Sequence, residues 1–258
     1  MVLERERHGR VEILTLNRPG SANAMDGELL AALGDALDEL EEDDGAWVVV
    51  LTGAGRHFCG GMDLRAFSEQ GGPGGEETPV RRPSARRGVG MFTTPFAKPL
   101  IAAVNGAAVG GGFELVMLCD LVVAADVARF GLPEVRRGLF ASGGGTLLSS
   151  RIPLARALEV GMTGELFGAQ QAAEWGLVNR VVPLDQLRPT ALELAEAVAA
   201  NGPLAVQITK RLMRRAVVGP AEAGWATPDE MTAVFQSEDA RQGAVAFVEK
   251  RPASFTGR

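Results

Sequence analysis

A run of three glycines and a nearby glutamate is the first feature of the sequence that is suited to chemistry. Gly110, Gly111 and Gly112 follow an apolar stretch, and Glu114 lies in the first turn of an apolar segment that predicts a buried helix. Main-chain N–H groups at the start of a helix attract negative charge, and glycines let another group approach them closely. The segment predicts either a catalytic centre or a tightly packed turn whose glutamate complements the helix dipole.

Two further glycine-rich turns and a second carboxylate are spread along the chain. Residues 60–63 and 138–146 are turns that offer backbone N–H groups, and Glu134 follows directly after a proline. His57 lies just before the first of these turns and has no obvious partner, so we interpret it as structural rather than as a general base. Glutamates and free amides are therefore the candidate reactive groups.

Two common catalytic or binding motifs do not fit these turns. Gly53 and Gly55 follow a predicted strand, but Phe58 stands where a dinucleotide-binding fingerprint needs its third glycine. Ser142 does not complete a nucleophile elbow, because Phe140 stands where that motif needs its first glycine. The sequence therefore gives no sign of a nucleotide cofactor or of a serine hydrolase.

Composition narrows the class of protein further. The chain has 258 residues, of which 46% are hydrophobic and 22% charged, as expected for one large globular domain or a core with a small appendage. A net charge of −6 argues against nucleic acid as the main partner. Two cysteines and two histidines predict neither a disulfide framework nor a metal site. We find no signal peptide and no apolar run long enough to span a bilayer, and expect a cytoplasmic protein.

The hydrophobic pattern predicts an α/β arrangement of the elements that must hold the glutamates. Residues 11–17 and 47–52 have the pattern of strands, and Asp26 is a suitable N-cap for the apolar helix between them. From residue 201 the pattern is purely helical, and Ser237 is predicted to cap the last helix. We therefore expect a core over residues 1–200 and a helical region over 201–258 that packs on the core or on a neighbouring subunit.

Taken together, the motifs resemble those of the crotonase family, also called the enoyl-CoA hydratase/isomerase superfamily. The resemblance covers essentially the whole chain, and the order and spacing of the motifs are those of the family. The matching stretches are Asn17-Arg18-Pro19 with Asn23-Ala24, residues 58–64, residues 101–106, Gly110-Gly111-Gly112-Phe113-Glu114-Leu115, Phe130-Gly131-Leu132-Pro133-Glu134 and Thr163-Gly164.

The resemblance implies a fold and a set of reactive groups. It implies a crotonase-like spiral of ββα units with a C-terminal helical trimerisation region, assembled as a trimer or a dimer of trimers. By position, the backbone N–H groups of Met62 and Gly111 correspond to an oxyanion hole for the thioester carbonyl of an acyl-CoA. Glu114 and Glu134 correspond to the two catalytic carboxylates of the hydratases. No cofactor is implied, since coenzyme A is part of the substrate.

Substrate-binding residues follow from the resemblance less directly. Arg65, Asp63 and Ser142 are candidates within the chain, and Lys250 and Phe255 come from a neighbouring subunit in some relatives. The arginines at 81, 82, 86 and 87 are further candidates for the phosphates of coenzyme A. Many hydratases have Pro-Gly where this chain has Ala141-Ser142, a change that concerns the position of the water and not the carboxylates.

The presence of both glutamates favours hydration of a 2-enoyl-CoA to a 3-hydroxyacyl-CoA. One ionised carboxylate would take a proton from water as its oxygen attacks C3, and the other would protonate C2. Neighbouring acids tend to have separated pKa values, which allows these different roles. A double-bond isomerase needs one carboxylate to move a proton, and a non-catalytic acyl-CoA-binding protein needs none. These two functions are the alternatives to the hydratase.

Overall fold

Short runs of aliphatic residues in the sequence become the strands of two sheets. The fold is that of a computed structural model, which describes residues 1–63, 86, 92, 94–219 and 227–258. The strands are β1 (Leu3–His8), β2 (Val11–Leu16), β3 (Val48–Gly53), β4 (His57–Cys59), β5 (Leu100–Val104), β6 (Ala107–Val109), β7 (Leu121–Ala125), β8 (Arg129–Gly131), β9 (Phe167–Gly168) and β10 (Arg180–Val182).

The larger sheet has the strand order β1-β2-β3-β5-β7-β10, and the smaller has the order β4-β6-β8-β9. Strands from β2 onward in the larger sheet are parallel, whereas β1 is antiparallel to β2. In the smaller sheet only β9 is antiparallel to its neighbour. Strand β5 is buried along its whole length, as expected for a parallel strand that is covered on both faces. The predicted α/β class is confirmed.

The helices cover these sheets. They are α1 (Gly27–Glu42), α2 (Gly111–Leu118), α3 (Leu154–Thr163), α4 (Ala169–Glu174), α5 (Leu187–Ala199), α6 (Pro203–Val218), α7 (Pro228–Phe235) and α8 (Glu238–Val248). The predicted N-cap of α1 is confirmed, because the Asp26 carboxylate accepts the Leu29 N–H at 2.9 Å. The apolar face of α1 is buried in the core that also contains α2.

Helix α2 lies between the two sheets and is buried through almost its whole length. Its start requires glycine: a Cβ atom built on Gly112 would lie 2.1 Å from the Cys59 carbonyl oxygen, which no side chain tolerates. The backbone of α2 therefore packs directly against the end of β4, and the turn that follows β4 is brought beside the first turn of α2.

The last helix differs in part from the sequence prediction. Ser237 caps α8 as predicted, with its Oγ accepting the Ala240 N–H at 3.0 Å. The helical spacing of the apolar residues at 240, 244, 247 and 248 predicts that they form one inner face, but Ala244 is exposed, whereas Ala246 is buried. The reason is Asp239, whose carboxylate accepts the N–H groups of the C-terminal tail and turns its own side of the helix inward. Ala246, seven residues later, lies on that same side.

Helix α6 connects the C-terminal region to the core within one chain. Its Lys210 ammonium contacts the Asp120 carboxylate at 2.7 Å and donates to the Lys98 carbonyl oxygen at 2.7 Å. Helical spacing predicts that Leu204, Ile208, Leu212 and Ala216 form one apolar stripe. The first three are half-buried, whereas Ala216 is exposed. The predicted boundary between residues 1–200 and 201–258 stays a prediction.

Candidate active site

Two backbone amides from different turns meet at the start of α2. A Cβ atom built on Gly61, which has a φ of +100°, would lie 3.4 Å from the nitrogen of Gly111 and 2.8 Å from the Val109 carbonyl oxygen. A Cβ atom built on Gly111 would in turn lie 3.6 Å from the nitrogen of Met62. The amide groups of Met62 and Gly111 are therefore neighbours, as the resemblance implied.

Neither of these two N–H groups has a hydrogen-bond acceptor among the described residues. The amide of Gly110, by contrast, donates to the Gly131 carbonyl oxygen at 2.9 Å, and those of Phe113 and Glu114 donate to Gly110. Gly111 is buried and buried backbone donors are almost always paired, so its unpaired N–H, next to that of the exposed Met62, indicates a place prepared for an oxygen atom of a ligand.

The turn that carries Met62 is held from one side by backbone pairing and an ion pair. The Met25 N–H donates to Gly61 at 2.7 Å, and the Asp63 N–H donates to Met25 at 2.9 Å. The Arg18 guanidinium contacts the carboxylates of Asp63 at 3.2 Å and Asp26 at 2.9 Å. These contacts give Asp63 a structural use, and its predicted part in substrate binding stays a prediction.

Two buried asparagines hold the turn between β3 and β4, which precedes the Met62 turn in the chain. The Asn23 side chain, which is 0% exposed, donates to the carbonyl oxygens of Ala54 and His57 at 2.9 and 2.7 Å. The Asn105 amide donates to Gly55 at 2.9 Å. In this network His57 contributes its backbone carbonyl, in keeping with a structural interpretation. Sequence reasoning did not assign this role to the asparagines, although buried polar residues at strand ends are a signal for it.

Glu114 is the more deeply buried of the two carboxylates, at 5% exposure. Its Oε1 accepts the Gly145 N–H at 2.9 Å, and the Gly143 N–H also donates to it. Burial raises the pKa of Glu114, and the charge of Glu134 raises it further, against the lowering effect of these two amides. The third glycine-rich turn thus serves to hold Glu114, a use that its sequence alone did not reveal.

Glu134 lies on the 3-10 helix Pro133–Arg137, opposite the glycine run. A Cβ atom built on Gly110, which has a φ of +59°, would lie 3.1 Å from Glu134 Oε1. Oε2 is buried and has no hydrogen-bond partner in the described part of the chain. Burial raises the pKa of Glu134, while its own backbone N–H and the charge of Arg137 lower it.

An apolar side chain that the sequence analysis missed lies beside these groups. The Cδ2 atom of Phe92 would be 3.0 Å from a Cβ atom built on Gly143, which would itself be 2.6 Å from Glu114 Oε2. A ring at this position can limit the access of water to the carboxylate. Periodicity gave no signal for Phe92.

The other candidate binding residues have various positions. Ser142 is exposed next to Gly143. Arg65 lies outside the described residues, together with arginines 81, 82 and 87. Arg86 is buried and bonded to α1, where it contacts Asp38 and Glu41, so it is not available for a phosphate. That part of the predicted arginine cluster is wrong, because ion pairing with α1 satisfies this guanidinium.

The C-terminal candidates lie away from the carboxylates of their own chain. Lys250 is exposed just after α8. Phe255 packs near Gly202 and Gly243, against the core on the α5 side of the larger sheet, whereas α2 belongs to the other core. Their predicted contribution to a neighbouring subunit's site stays a prediction.

Several other properties of the described residues bear on the class of site. No group of three or more histidine, cysteine, aspartate or glutamate side chains is arranged to hold a metal ion. No helix in this part of the chain is both long and apolar enough to cross a membrane. Cys59 and Cys119 are free and buried, and burial raises the pKa of each thiol to about 12. Such thiols are poor nucleophiles at neutral pH.

The site therefore combines the buried carboxyl group of Glu114 and the half-buried carboxyl group of Glu134, both of raised pKa, with two adjacent unpaired N–H groups. Carboxyl groups whose pKa is raised above its usual value are suited to accepting and donating protons. The amide pair can stabilise negative charge that develops on an oxygen atom. Together these groups suit a reaction in which a carbonyl becomes an oxyanion while protons move at neighbouring carbons.

Comparison with known proteins gives the same result along the whole chain. A family described as Enoyl-CoA hydratase/isomerase matches residues 6–258. The chain is 38% identical to enoyl-CoA hydratase EchA19 of Mycobacterium tuberculosis, over 98% of this chain and 96% of that protein. It is 39% identical to the 2,3-dehydroadipyl-CoA hydratase of Escherichia coli, over 98% and 97% of the two chains. The crystal structure of enoyl-CoA hydratase EchA1 from Mycobacterium marinum matches with a TM-score of 0.88 and 43% identity, over 100% and 99%.

Proposed function

The chain belongs to the enoyl-CoA hydratase/isomerase family, and we propose that it is a 2-enoyl-CoA hydratase, a hydro-lyase. It adds water reversibly to the conjugated double bond of a 2-enoyl-CoA and gives a 3-hydroxyacyl-CoA. The observation that carries this proposal is the pair of carboxyl groups of raised pKa, the buried Glu114 and the half-buried Glu134, beside two adjacent amides without acceptors.

The amides of Met62 and Gly111 bind the thioester carbonyl oxygen. As water adds at C3, charge moves onto this oxygen and the thioester becomes an enolate. Donors that are fixed in place before the reaction stabilise such charge by about 3–4 kcal/mol each. The backbone pairing with Met25 and the Arg18–Asp63 ion pair, which hold the Met62 turn, support this role, because they keep one donor in position.

The two carboxyl groups take different roles. Glu114 accepts two backbone N–H groups, which favours its ionised form, so it orients the water and takes its proton. Glu134 has a buried oxygen without a donor, so it can carry the proton that is delivered to C2. Burial raises both pKa values, which brings these acids nearer to the working pH. No cofactor is needed besides the coenzyme A of the substrate.

The alternative functions account for fewer of these features. A double-bond isomerase moves one proton and has no use for a second buried carboxyl group of raised pKa. A non-catalytic acyl-CoA-binding protein has no use for either, and the burial of two acids is costly without a function. Hydration uses both groups.

We also propose that the protein assembles as a trimer or a dimer of trimers in the cytoplasm. Large apolar side chains on the surface of the single chain support an assembly: Phe140 is 72% exposed, Met162 69% and Phe235 73%. Fatty-acid metabolism is the proposed setting, since 2-enoyl-CoA esters are its intermediates.

The test is a hydration assay with crotonyl-CoA and a longer 2-enoyl-CoA. We expect loss of the conjugated-enoyl absorbance and a product heavier by one water. A product of unchanged mass with a moved double bond would show an isomerase. No reaction of either ester, with tight binding of both, would show an acyl-CoA-binding protein.

A further inference from the structure

Two consecutive arginines follow Glu134, and the structure uses them differently. Arg136 donates to the Thr163 carbonyl oxygen at 3.0 Å and lies 4.0 Å from the Glu165 carboxylate. Arg137 is exposed, and its guanidinium makes no hydrogen bond or ion pair with any described residue. Arg136 is thus part of the structure, whereas the exposed Arg137 guanidinium forms no contact ion pair within the described part of the chain.

Arg137 is placed beside the reacting groups by the geometry of its helix. Glu134 and Arg137 are three residues apart in the 3-10 helix Pro133–Arg137. In such a helix residues i and i+3 lie directly above one another, with a rise of about 6 Å between them. The charge of Arg137 also lowers the pKa of Glu134, as expected from this proximity.

We propose that Arg137 binds a carboxylate at the far end of the acyl chain, so that the preferred substrates are 2-enoyl-CoA esters with a second, terminal carboxylate. This inference rests on the proposed hydratase function. A guanidinium is suited to the role because it can bind a carboxylate through two parallel hydrogen bonds.

The position of Arg137 favours the acyl end of the substrate over its coenzyme A end. Glu134 is proposed to act at C2, and the acyl chain continues from C3 away from the thioester sulfur. The phosphates of coenzyme A are separated from that sulfur by the whole pantetheine arm. A negative group within one helical turn of Glu134 therefore belongs to the acyl chain, a few bonds beyond the double bond.

The test compares hex-2-enedioyl-CoA with hex-2-enoyl-CoA, which share a chain length and differ in the terminal carboxylate. The measured quantity is the ratio of the two kcat/KM values, diacid over monoacid. For Arg137→Gln we expect this ratio to fall about three- to fivefold, as for the loss of one exposed charge-assisted contact. Any change in the pKa of Glu134 acts on both substrates and cancels in the ratio.

Arg136→Gln is the matched control, since it removes the same charge from the same helix and should leave the ratio unchanged. Arg137→Lys should have a ratio between those of Arg137→Gln and the natural protein. Added salt should lower the ratio for the natural protein. A ratio that Arg137→Gln does not change, including an equal rise of both KM values, would overturn the inference. Failure of the natural protein to hydrate either ester would instead overturn the proposed function.

Discussion

The two ends of helix α2 differ in how their polar groups are satisfied. At the start, the Gly111 N–H has no acceptor among the described residues, and the carboxyl oxygen Glu134 Oε2 beside it has no donor. At the end, the Arg151 guanidinium donates to the Met117 and Cys119 carbonyl oxygens at 3.3 and 3.0 Å.

Further cations complete the satisfied end. The Arg214 guanidinium donates to Leu118 at 2.9 Å and contacts the Asp120 carboxylate at 2.7 Å, which also binds Lys210. Positive charge at the C-terminus of a helix is favourable, so these contacts stabilise α2. The difference shows where function lies on one short helix. Unpaired polar groups mark the reactive N-terminal end, and the paired groups at the C-terminal end stabilise the helix and hold it in place.

Removal of either carboxylate at the reactive end should have the largest effect. We expect Glu114→Gln and Glu134→Gln each to lower kcat by about 10²–10⁴-fold, because each removes a proton-transfer group, while acyl-CoA binding persists. The rate of crotonyl-CoA hydration measures kcat, and calorimetric titration with the ester measures acyl-CoA binding. Glu28→Gln, also in a first helical turn but exposed, is the control. Full activity of Glu134→Gln would refute a mechanism with two carboxylates.

Substitution of Asp120 tests the C-terminal end of α2, where the polar groups are paired. Its removal leaves the half-buried Lys210 and also Arg214 without their carboxylate, so Asp120→Ala should lower the free energy of unfolding by about 3 kcal/mol, with a much smaller loss of kcat. Urea denaturation measures the stability. Asp185→Ala, which removes an exposed carboxylate, should change it little. If kcat fell as far as in the glutamate variants, the functional division between the two ends would be wrong.

Gly143→Ala tests how closely Glu114 is held. The new Cβ would lie 2.6 Å from Glu114 Oε2, so the carboxylate must shift. We expect kcat to fall by roughly ten- to a hundredfold, because small displacements of a catalytic group are costly. Gly161→Ala is the control, since a Cβ there meets nothing within 4 Å. Equal activity of both variants would show that Glu114 is not confined by this turn.

The pH dependence of stability should show the smallest effect. Burial raises the pKa of Glu134 in the folded protein, so the folded state binds this proton more tightly than the unfolded state. Stability from this group is present below the usual glutamate pKa and decreases as pH rises through the folded value. The free energy of unfolding of Glu134→Gln, measured by urea titration, should therefore decrease less than that of the natural protein as pH rises through this window. A larger decrease in the variant would contradict a raised pKa.

The sequence predicted the backbone of this site better than its side-chain partners. Asp26 and Ser237 act as caps because capping depends on residues three positions away. The family resemblance implied that the backbone amides of Met62 and Gly111 are neighbours, and they are neighbours in the structure. The role of the glycines at 143 and 145 as donors to Glu114 depends on contacts some thirty residues apart in sequence, which periodicity does not encode.

Contacts of charged side chains with distant segments explain the errors as well. Arg86 meets α1 more than forty residues away, and Asp239 meets the tail at residues 256 and 257. Each contact depends on which segments the fold brings together, so composition and charge runs could not show it. For this reason Arg86 was wrongly predicted to bind a phosphate, and Ala244 was wrongly placed on the inner face of α8.

The Asp120 contact also has a consequence for the order of folding during synthesis. Arg214 follows Asp120 by 94 residues, so this carboxylate and the Leu118 carbonyl wait for their guanidinium until α6 has been made. At the usual 5–20 residues per second, this delay is roughly 5 to 20 s. Arg151 follows Cys119 by only 32 residues and can bind the Met117 and Cys119 carbonyls earlier, so the end of the helix that carries Glu114 acquires its cations in two steps during synthesis.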